Sequence, residues 1–226
     1  MPIHKSSAFT NPVEIWNDRY SQREYIFGTE PNHYLVKCQR YLKAGMSALA
    51  IADGEGRNSV WLAKQGLITS AFDISTVGIE KARKLASDEN VEVDFSLADC
   101  DAWDWDSKKF DVVAAIFVQF AAPDVRKLLF ANMIRSLKPG GLIVLQGYTP
   151  KQLEYKTGGP PTLSNLYTEN LLRDEFSHLN IIDMSEYEME LREGSQHSGM
   201  SALIGMRSGS VYLDRISAGL SESLQV

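Results

Sequence analysis

The sequence predicts an α/β fold, a doubly wound and mainly parallel sheet with helices on both faces, and three observations carry that expectation. Leu49 to Ala52 read as a buried strand that breaks on Gly54 and Gly56, after which Asn58 to Lys64 take up helical spacing. The strand candidates near Leu49, Ile68, Val112 to Val118 and Leu142 to Leu145 are largely apolar runs, as strands covered on both faces by helices require. Val91, Val93, Phe95 and Leu97 instead alternate with Glu92, Asp94 and Ser96, which gives that strand one wet face and places it at the sheet's edge.

The elements follow in order. Asn11-Pro12 caps a helix through Val13, Ile15, Trp16, Arg19 and Tyr20, and a second helix has Pro31 in its first turn and Gly45 just past its end. The glycine turn and its helix follow, closed by Gly66; Leu67 to Ile74 return as a strand, and a helix starts near Thr76. After the edge strand come Val112 to Val118 and an amphipathic helix on Val125, Leu128, Leu129, Met133 and Leu137, stopped by Lys138-Pro-Gly-Gly141. Leu142 to Leu145 form the next strand. Lys151 to Pro161 is too rich in turn residues for regular structure, and Thr168 caps a helix through Leu171, Leu172 and Phe176. The apolar phase slips between Met184 and Tyr187, which predicts a bulge near Ser185-Glu186. A loop over Gly194 to Gly199 and a closing strand from Met200 to Met206 complete a terminal hairpin. These readings divide the chain into an accessory or lid segment, residues 1–30, a main domain, residues 31–208, and a C-terminal appendage, residues 209–226.

Composition narrows the function. A chain of 226 residues with 44% hydrophobic residues builds one sizeable core. A net charge of −6 and the lack of a basic run argue against nucleic acid, and no apolar run approaches the ~18 residues that span a bilayer. Two cysteines, Cys38 and Cys100, and no leader pattern fit a cytoplasmic, disulfide-free protein. Four histidines without ligand spacing indicate no metal. The expected partner is a small molecule, with the protein a monomer or weak homodimer.

A helix N-terminus behind a glycine turn offers free N–H groups to a carboxylate, phosphate or ribose. Nicotinamide, flavin and S-adenosylmethionine enzymes all use such a turn. Asp73, at a strand's carboxyl end about 20 residues past the glycines, is placed to accept from ribose hydroxyls; equally, it can cap the helix near Thr76. Asp99 can accept from an adenine amino group or stand as a solvated loop acid.

Strand, Gly54-Glu-Gly56, Asp73, Asp99 and Leu137-Lys-Pro-Gly-Gly141, in that order, resemble the class I S-adenosylmethionine-dependent methyltransferases, over roughly Trp16 to Arg207. Arg57-Asn58 and Trp16-Asn-Asp-Arg-Tyr20 resemble more narrowly its tellurite-resistance and thiopurine methyltransferase-like branch. The resemblance implies a Rossmann-like seven-stranded sheet with the last strand antiparallel, and S-adenosylmethionine as cofactor with S-adenosylhomocysteine as product. It implies that Ala52, Asp53, Gly54, Glu55, Gly56, Arg57 and Asn58 form the loop under the cofactor. Asp73 and Ile74 then meet the ribose, Asp99 and Cys100 the adenine, and Ile116, Phe117 and Val118 the methionine end. The family's motif opens with an acid and a further glycine, where this chain has Ala50 and Ala52; Asp53 stands where relatives commonly have cysteine.

Trp16, Arg19 and Tyr25 can fold over the cofactor, guanidinium to carboxylate and rings to sulfonium, or simply dock a helix. Methyl transfer needs an aligned nucleophile in a dry pocket. Gln119 can orient an acceptor but is no base; His197 is the titratable group nearest the expected site, Arg192 can meet an anionic substrate, and Tyr148 with Tyr155 and Thr157-Gly-Gly159 can form a lid. The methyl acceptor is expected to be a small thiol, a selenium or tellurium oxyanion, or a similar soft nucleophile. A nicotinamide oxidoreductase fits less well, because Ser59 and Ala52 replace glycines of its pattern. A cofactor-binding protein without catalysis is the remaining alternative.

Overall fold

The computed structural model describes residues 11–194 and 197–210; the side chains of His197, Ser198 and Ser210 lie outside that description. Two helices, α1 (Pro12–Tyr20) and α2 (His33–Lys37), precede the sheet, followed by β1 (Ser47–Ile51), α3 (Arg57–Lys64), β2 (Ile68–Asp73), α4 (Thr76–Asp88) and β3 (Val93–Leu97). The second half comprises β4 (Phe110–Ile116), α5 (Pro123–Arg135), β5 (Leu137–Tyr148), α6 (Gln152–Tyr155), α7 (Glu169–Glu175), β6 (Leu179–Glu193) and β7 (His197–Ser210).

The seven strands lie in the order β3-β2-β1-β4-β5-β7-β6. The five strands β1 to β5 pair in parallel, and β7 runs antiparallel to both β5 and β6. This is the doubly wound sheet with a terminal hairpin that the sequence predicts, and β3 is an edge strand as its alternation required. The inner strands show no alternation because both faces are dry. Ala48, Val112, Ala114, Leu142 and Val144 pack toward Tyr34, Leu35 and Leu62 of α2 and α3. Leu49, Ile51, Val113, Ala115, Ile143 and Leu145 pack on the other side toward Leu129, Phe130, Met133 and Leu172 of α5 and α7. The chain reverses its direction of winding between β1 and β4, and ligands of such sheets bind outside the carboxyl ends of the strands at that point.

Several local expectations are corrected. The second helix begins after Asn32, whose Oδ1 accepts from Tyr34 N and Leu35 N, so it starts beyond Pro31 and ends at Lys37. Lys138 to Gly141 does not separate helix from strand: β5 starts at Leu137, and the four residues bulge out between the pairs Phe110–Leu137 and Val112–Leu142. Lys138 Nζ and Ser47 N both donate to Asp111 Oδ2 there, at 2.8 and 2.7 Å. The stretch 151–161 holds one helical turn, organised by buried Gln152, which accepts from Ala202 N and donates to Thr157 Oγ1 and Gly158 O. The irregularity in β6 falls between Ile181 and Asp183, not at Ser185-Glu186. The phase change in the sequence has another cause: Met184 packs on the α5 and α7 side, whereas Tyr187 packs on the α2 side, each part of the strand being covered on a different face. The hairpin is also tighter than a loop from Gly194 to Gly199, since Glu193 pairs with His197. Ser208 to Ser210 belong to β7; the helical tendency read beyond them falls outside the described residues, as do residues 1–10 of the accessory segment.

Candidate active site

At the carboxyl ends of β1, β2, β3 and β4 the structure encloses a cavity of about 250 Å³. Its floor is the turn after β1. Ala52, Gly54 and Gly56 have φ of 47°, 61° and 92°, so every second residue is left-handed and the chain doubles back into α3. Gly54 faces the cavity, and a Cβ on it would meet the Tyr20 hydroxyl at 2.5 Å. Gly56 turns away from the cavity; its Cβ would lie 2.7 Å from the Ala82 Cβ, so this glycine lets α3 and α4 approach each other.

Asp73 ends β2 and is 5% exposed. Its Oδ2 accepts from Gly54 N at 2.8 Å and its Oδ1 from Ser75 N at 2.9 Å. The helix-capping alternative for Asp73 is corrected, because Ser75 Oγ accepts from Gly78 N and is itself the cap of α4. Burial raises the Asp73 carboxyl's pKa, and its hydrogen bonds from Ser75, Gly54 and Ile74 amides oppose that shift. Asp99, after β3, uses Oδ1 to accept from Asp101 N and Ala102 N. Cys100 beside it is a partly buried thiol pushed up to about 12 by desolvation and by Asp101, Asp99 and Asp73.

Of the residues expected to hold the cofactor, Trp16, Ala52, Asp53, Gly54, Glu55, Arg57, Asn58, Asp73, Ile74, Asp99, Cys100, Ile116 and Phe117 all line this cavity. Arg19, Tyr25 and Gly56 do not, nor does Val118, which packs into the core. The Arg19 guanidinium stacks over the Trp16 and Phe27 rings, 4.6 and 5.6 Å from their centroids. Tyr25 donates to Lys81 O on α4. Tyr20, Phe27, Phe72 and Phe120 also line the cavity and were not singled out by spacing. Tyr20 stacks on Trp16 with centroids 5.3 Å apart, and its hydroxyl is held protonated by burial, Asp73 and Glu55.

Three loop residues do double duty as latches. Glu55 accepts from Ile26 N at 2.8 Å and pairs with Lys81, which in turn donates to the carbonyls of Tyr20, Gln22 and Glu24. Arg57 donates to Phe27 O and to Glu193 Oε2 at 2.9 Å in an ion pair with both side chains about nine-tenths buried. Asn58 accepts from Asn32 N at 2.9 Å. The segment between α1 and α2 is thereby strapped across the glycine turn.

The residues expected to act on the acceptor stand elsewhere. Gln119 accepts from Tyr148 N at 2.6 Å and donates to Tyr148 O at 2.9 Å, so its amide continues the ladder past the end of β4. Tyr148 is buried and stacks on Phe117 at 4.7 Å, with Gly159 packed against its ring. Arg192 is exposed and pairs with Glu190. His197 begins β7, and its side chain lies outside the described residues.

The donor set fits an S-adenosylmethionine-like ligand. Lys81 answers Glu55 and Glu193 answers Arg57, which leaves Asp53, Asp73 and Asp99 as the charges facing the cavity, with Trp16, Phe27, Phe72, Phe117 and Phe120 as its aromatic wall. Carboxylates suit a diol, an amino group or an ammonium, and ring faces suit a sulfonium.

Residues 48–141 match the family model described as a methyltransferase domain. The ribosomal protein L11 methyltransferase of Dictyoglomus turgidum is 32% identical over 133 residues, 57% of this chain and 42% of the relative, so the chain spans less than half of that protein. Three solved structures share the fold. A protein from the conversion of a disulfide bond into a thioacetal group during echinomycin biosynthesis has a TM-score of 0.71 and 17% identity, covering 93% of this chain and 98% of that one. TehB from Haemophilus influenzae has a TM-score of 0.66 and 16% identity, covering 88% and 66%. Magnesium protoporphyrin IX methyltransferase from Synechocystis PCC 6803, with bound S-adenosylhomocysteine, has a TM-score of 0.62 and 15% identity, covering 91% and 90%. Residues 48–141 thus match a methyltransferase domain, and the chain as a whole shares the fold of these solved structures.

Proposed function

We propose that the protein transfers a methyl group from S-adenosylmethionine to a small, soft nucleophile, a thiol or a selenium or tellurium oxyanion. The observation that carries this reading is the cavity's lining: carboxylates at the ends of β2 and β3, an aromatic wall opposite, and Gln119 turned away onto the Tyr148 backbone. A nucleophile that arrives as an anion or with an exposed lone pair needs alignment and exclusion of water more than a base. The cofactor supplies the electrophilic methyl carbon when bound. Asp73 has lone pairs beyond the two amides it already holds and accepts from ribose hydroxyls, while Asp99 and Cys100 border the base. Trp16, Phe27 and Phe117 line the cavity, where an aromatic ring beside a bound sulfonium would contribute ~0.5–2 kcal/mol. Half-exposed Phe120 stands at the entrance.

The fold shared with TehB, Arg57-Asn58 in the turn and the strapped helix ahead of the sheet support placement in the tellurite-resistance and thiopurine methyltransferase-like branch. Within the described residues, 11–30 then act as the cover and 31–210, with β7 complete, as the catalytic domain. The test is turnover with S-adenosylmethionine on a panel of thiols, selenite, tellurite, phenols and peptide amines, followed as S-adenosylhomocysteine formed. Thiol, selenium or tellurium acceptors should lead the panel. Preference for peptide amines or phenols would overturn the acceptor class, and cofactor binding without turnover on any acceptor would overturn catalysis.

A further inference from the structure

Among the carboxylates of the cavity, Asp53 is the one that directly follows the central strand β1. Asp73 has an amide on each oxygen, Glu55 has Lys81, and Asp99, which holds two amides of its own turn on Oδ1, stands two strands away at the end of the edge strand β3. Asp53 Oδ2 accepts from Ser59 N at a long 3.3 Å, Ser59 also offers its hydroxyl, and no ion pair of the described residues involves Asp53. Its backbone is fixed, since Asp53 N donates to Phe72 O at 3.1 Å. The residue is partly buried and opens on the cavity. The charged groups that face it are Asp73 from β2, which disfavours its charge, and Arg57 from α3, which favours it but is already bound to Glu193 and Phe27 O.

The topology decides which part of a ligand meets this residue, and here the inference rests on the cofactor reading above. Asp99 follows β3, Asp73 follows β2, and the next strands across are β1 and β4. With the base toward Asp99 and the ribose toward Asp73, the amino-acid tail comes to lie over Asp53, Ile116 and Phe117. We propose that Asp53 binds the α-ammonium group of that tail by a charge-assisted hydrogen bond to its carboxylate. Ala50, the place of the acid in related motifs, is 1% exposed inside the sheet and has no polar group to offer. Asp53, three residues later, supplies a negative charge on the cavity side. Burial holds its carboxyl at about 7 against the opposing Ser59 bonds, so pairing with an ammonium draws it into the charged form and releases a proton.

Asp53 also faces the N-terminus of α3, where Gly56 brings no side-chain cap. Asp53→Asn separates the two roles, because an amide oxygen still caps the helix but carries no charge. Calorimetry on the full chain compares S-adenosylhomocysteine with 5′-methylthioadenosine, which keeps base, ribose and sulfur and has no amino-acid tail. The variant should bind S-adenosylhomocysteine at least about tenfold more weakly and methylthioadenosine within about twofold of the original chain. On the original chain, titrations at pH 7 in phosphate and in Tris should show proton release with S-adenosylhomocysteine and none with methylthioadenosine. That measurement stands even if the variant does not fold. Equal losses for both ligands, an unchanged affinity for S-adenosylhomocysteine, or equal proton release would overturn the role of Asp53. An original chain that binds neither ligand would overturn the cofactor reading beneath it.

Discussion

In Asp73→Asn the ribose contact and the architecture of the glycine turn are tested together. Each Asp73 oxygen already holds one backbone donor, Gly54 N at 2.8 Å and Ser75 N at 2.9 Å. Asparagine keeps one oxygen and turns an NH₂ toward the other amide, donor against donor. One bond to a charged acceptor is lost, worth roughly 1.5–3 kcal/mol. Burial of the carboxylate raises its pKa, so removing the charge returns part of that cost and the lower half of the range applies. At about 2–4 °C per kcal/mol for a chain of this length, the ligand-free melting temperature should fall by roughly 3–8 °C. Affinity for S-adenosylhomocysteine should fall at least about tenfold, since a ribose hydroxyl loses its charged acceptor. Thermal melts without ligand and calorimetry with it read the two effects separately. A ligand-free melt unchanged within about 1 °C would show that the two amides do not depend on the carboxylate. Intact affinity in the folded variant would remove Asp73 from the ribose site.

Glu193→Ala leaves the Arg57 guanidinium buried without its carboxylate, and urea denaturation should show a loss of roughly 3–5 kcal/mol; a loss under about 1 kcal/mol would mean that water replaces the pair. Ala52→Gly relieves a left-handed alanine with φ of 47°, and after the added flexibility of the unfolded glycine the variant should gain up to about 1 kcal/mol; a clear loss would show that the methyl group is packed. Asp53, held at about 7 in the fold against an ordinary 3.8, favours the protonated form, so its contribution to stability is full below about pH 4 and is lost as pH rises through about 7. Ligand-free Asp53→Asn lacks that dependence and should gain on the original chain between pH 4 and pH 8, by about a kcal/mol or more; a constant difference across that range would contradict the burial of the charge.

The strands were legible because their pattern is set by how many faces are dry. Val93, Phe95 and Leu97 alternate and sit at an edge, whereas Leu49 to Ile51 and Val112 to Ala115 run unbroken and sit inside. Where the same logic failed, a second cause produced the same signal. The phase change at Met184 to Tyr187 looks like a bulge in a strand with one buried face, but β6 is covered on one face at its start and on the other further along. Lys138-Pro-Gly-Gly141 carries every sign of a connecting turn, and only the pairing of Leu137 with Phe110 shows that the sheet has already begun.

For the site, spacing located backbone and missed direction. Glycines after β1 and acids after β2 and β3 must stand at one edge of a doubly wound sheet, so Asp53, Gly54, Asp73 and Asp99 gather on one cavity. Nothing local reveals that Gly56 faces Ala82, or that Gln119 spends both ends of its amide on Tyr148. Arg57 and Glu193 are 136 residues apart in the chain, and neither has a neighbour in sequence that announces the other. Their pairing, with Glu55 on Lys81 and Asn58 on Asn32, turns three residues of the glycine loop into fasteners for the segment that carries Phe27 to the cavity. The cover and the floor of the site are therefore joined through the same loop, and a change at Arg57 or Glu55 should disturb the aromatic wall as much as the turn itself.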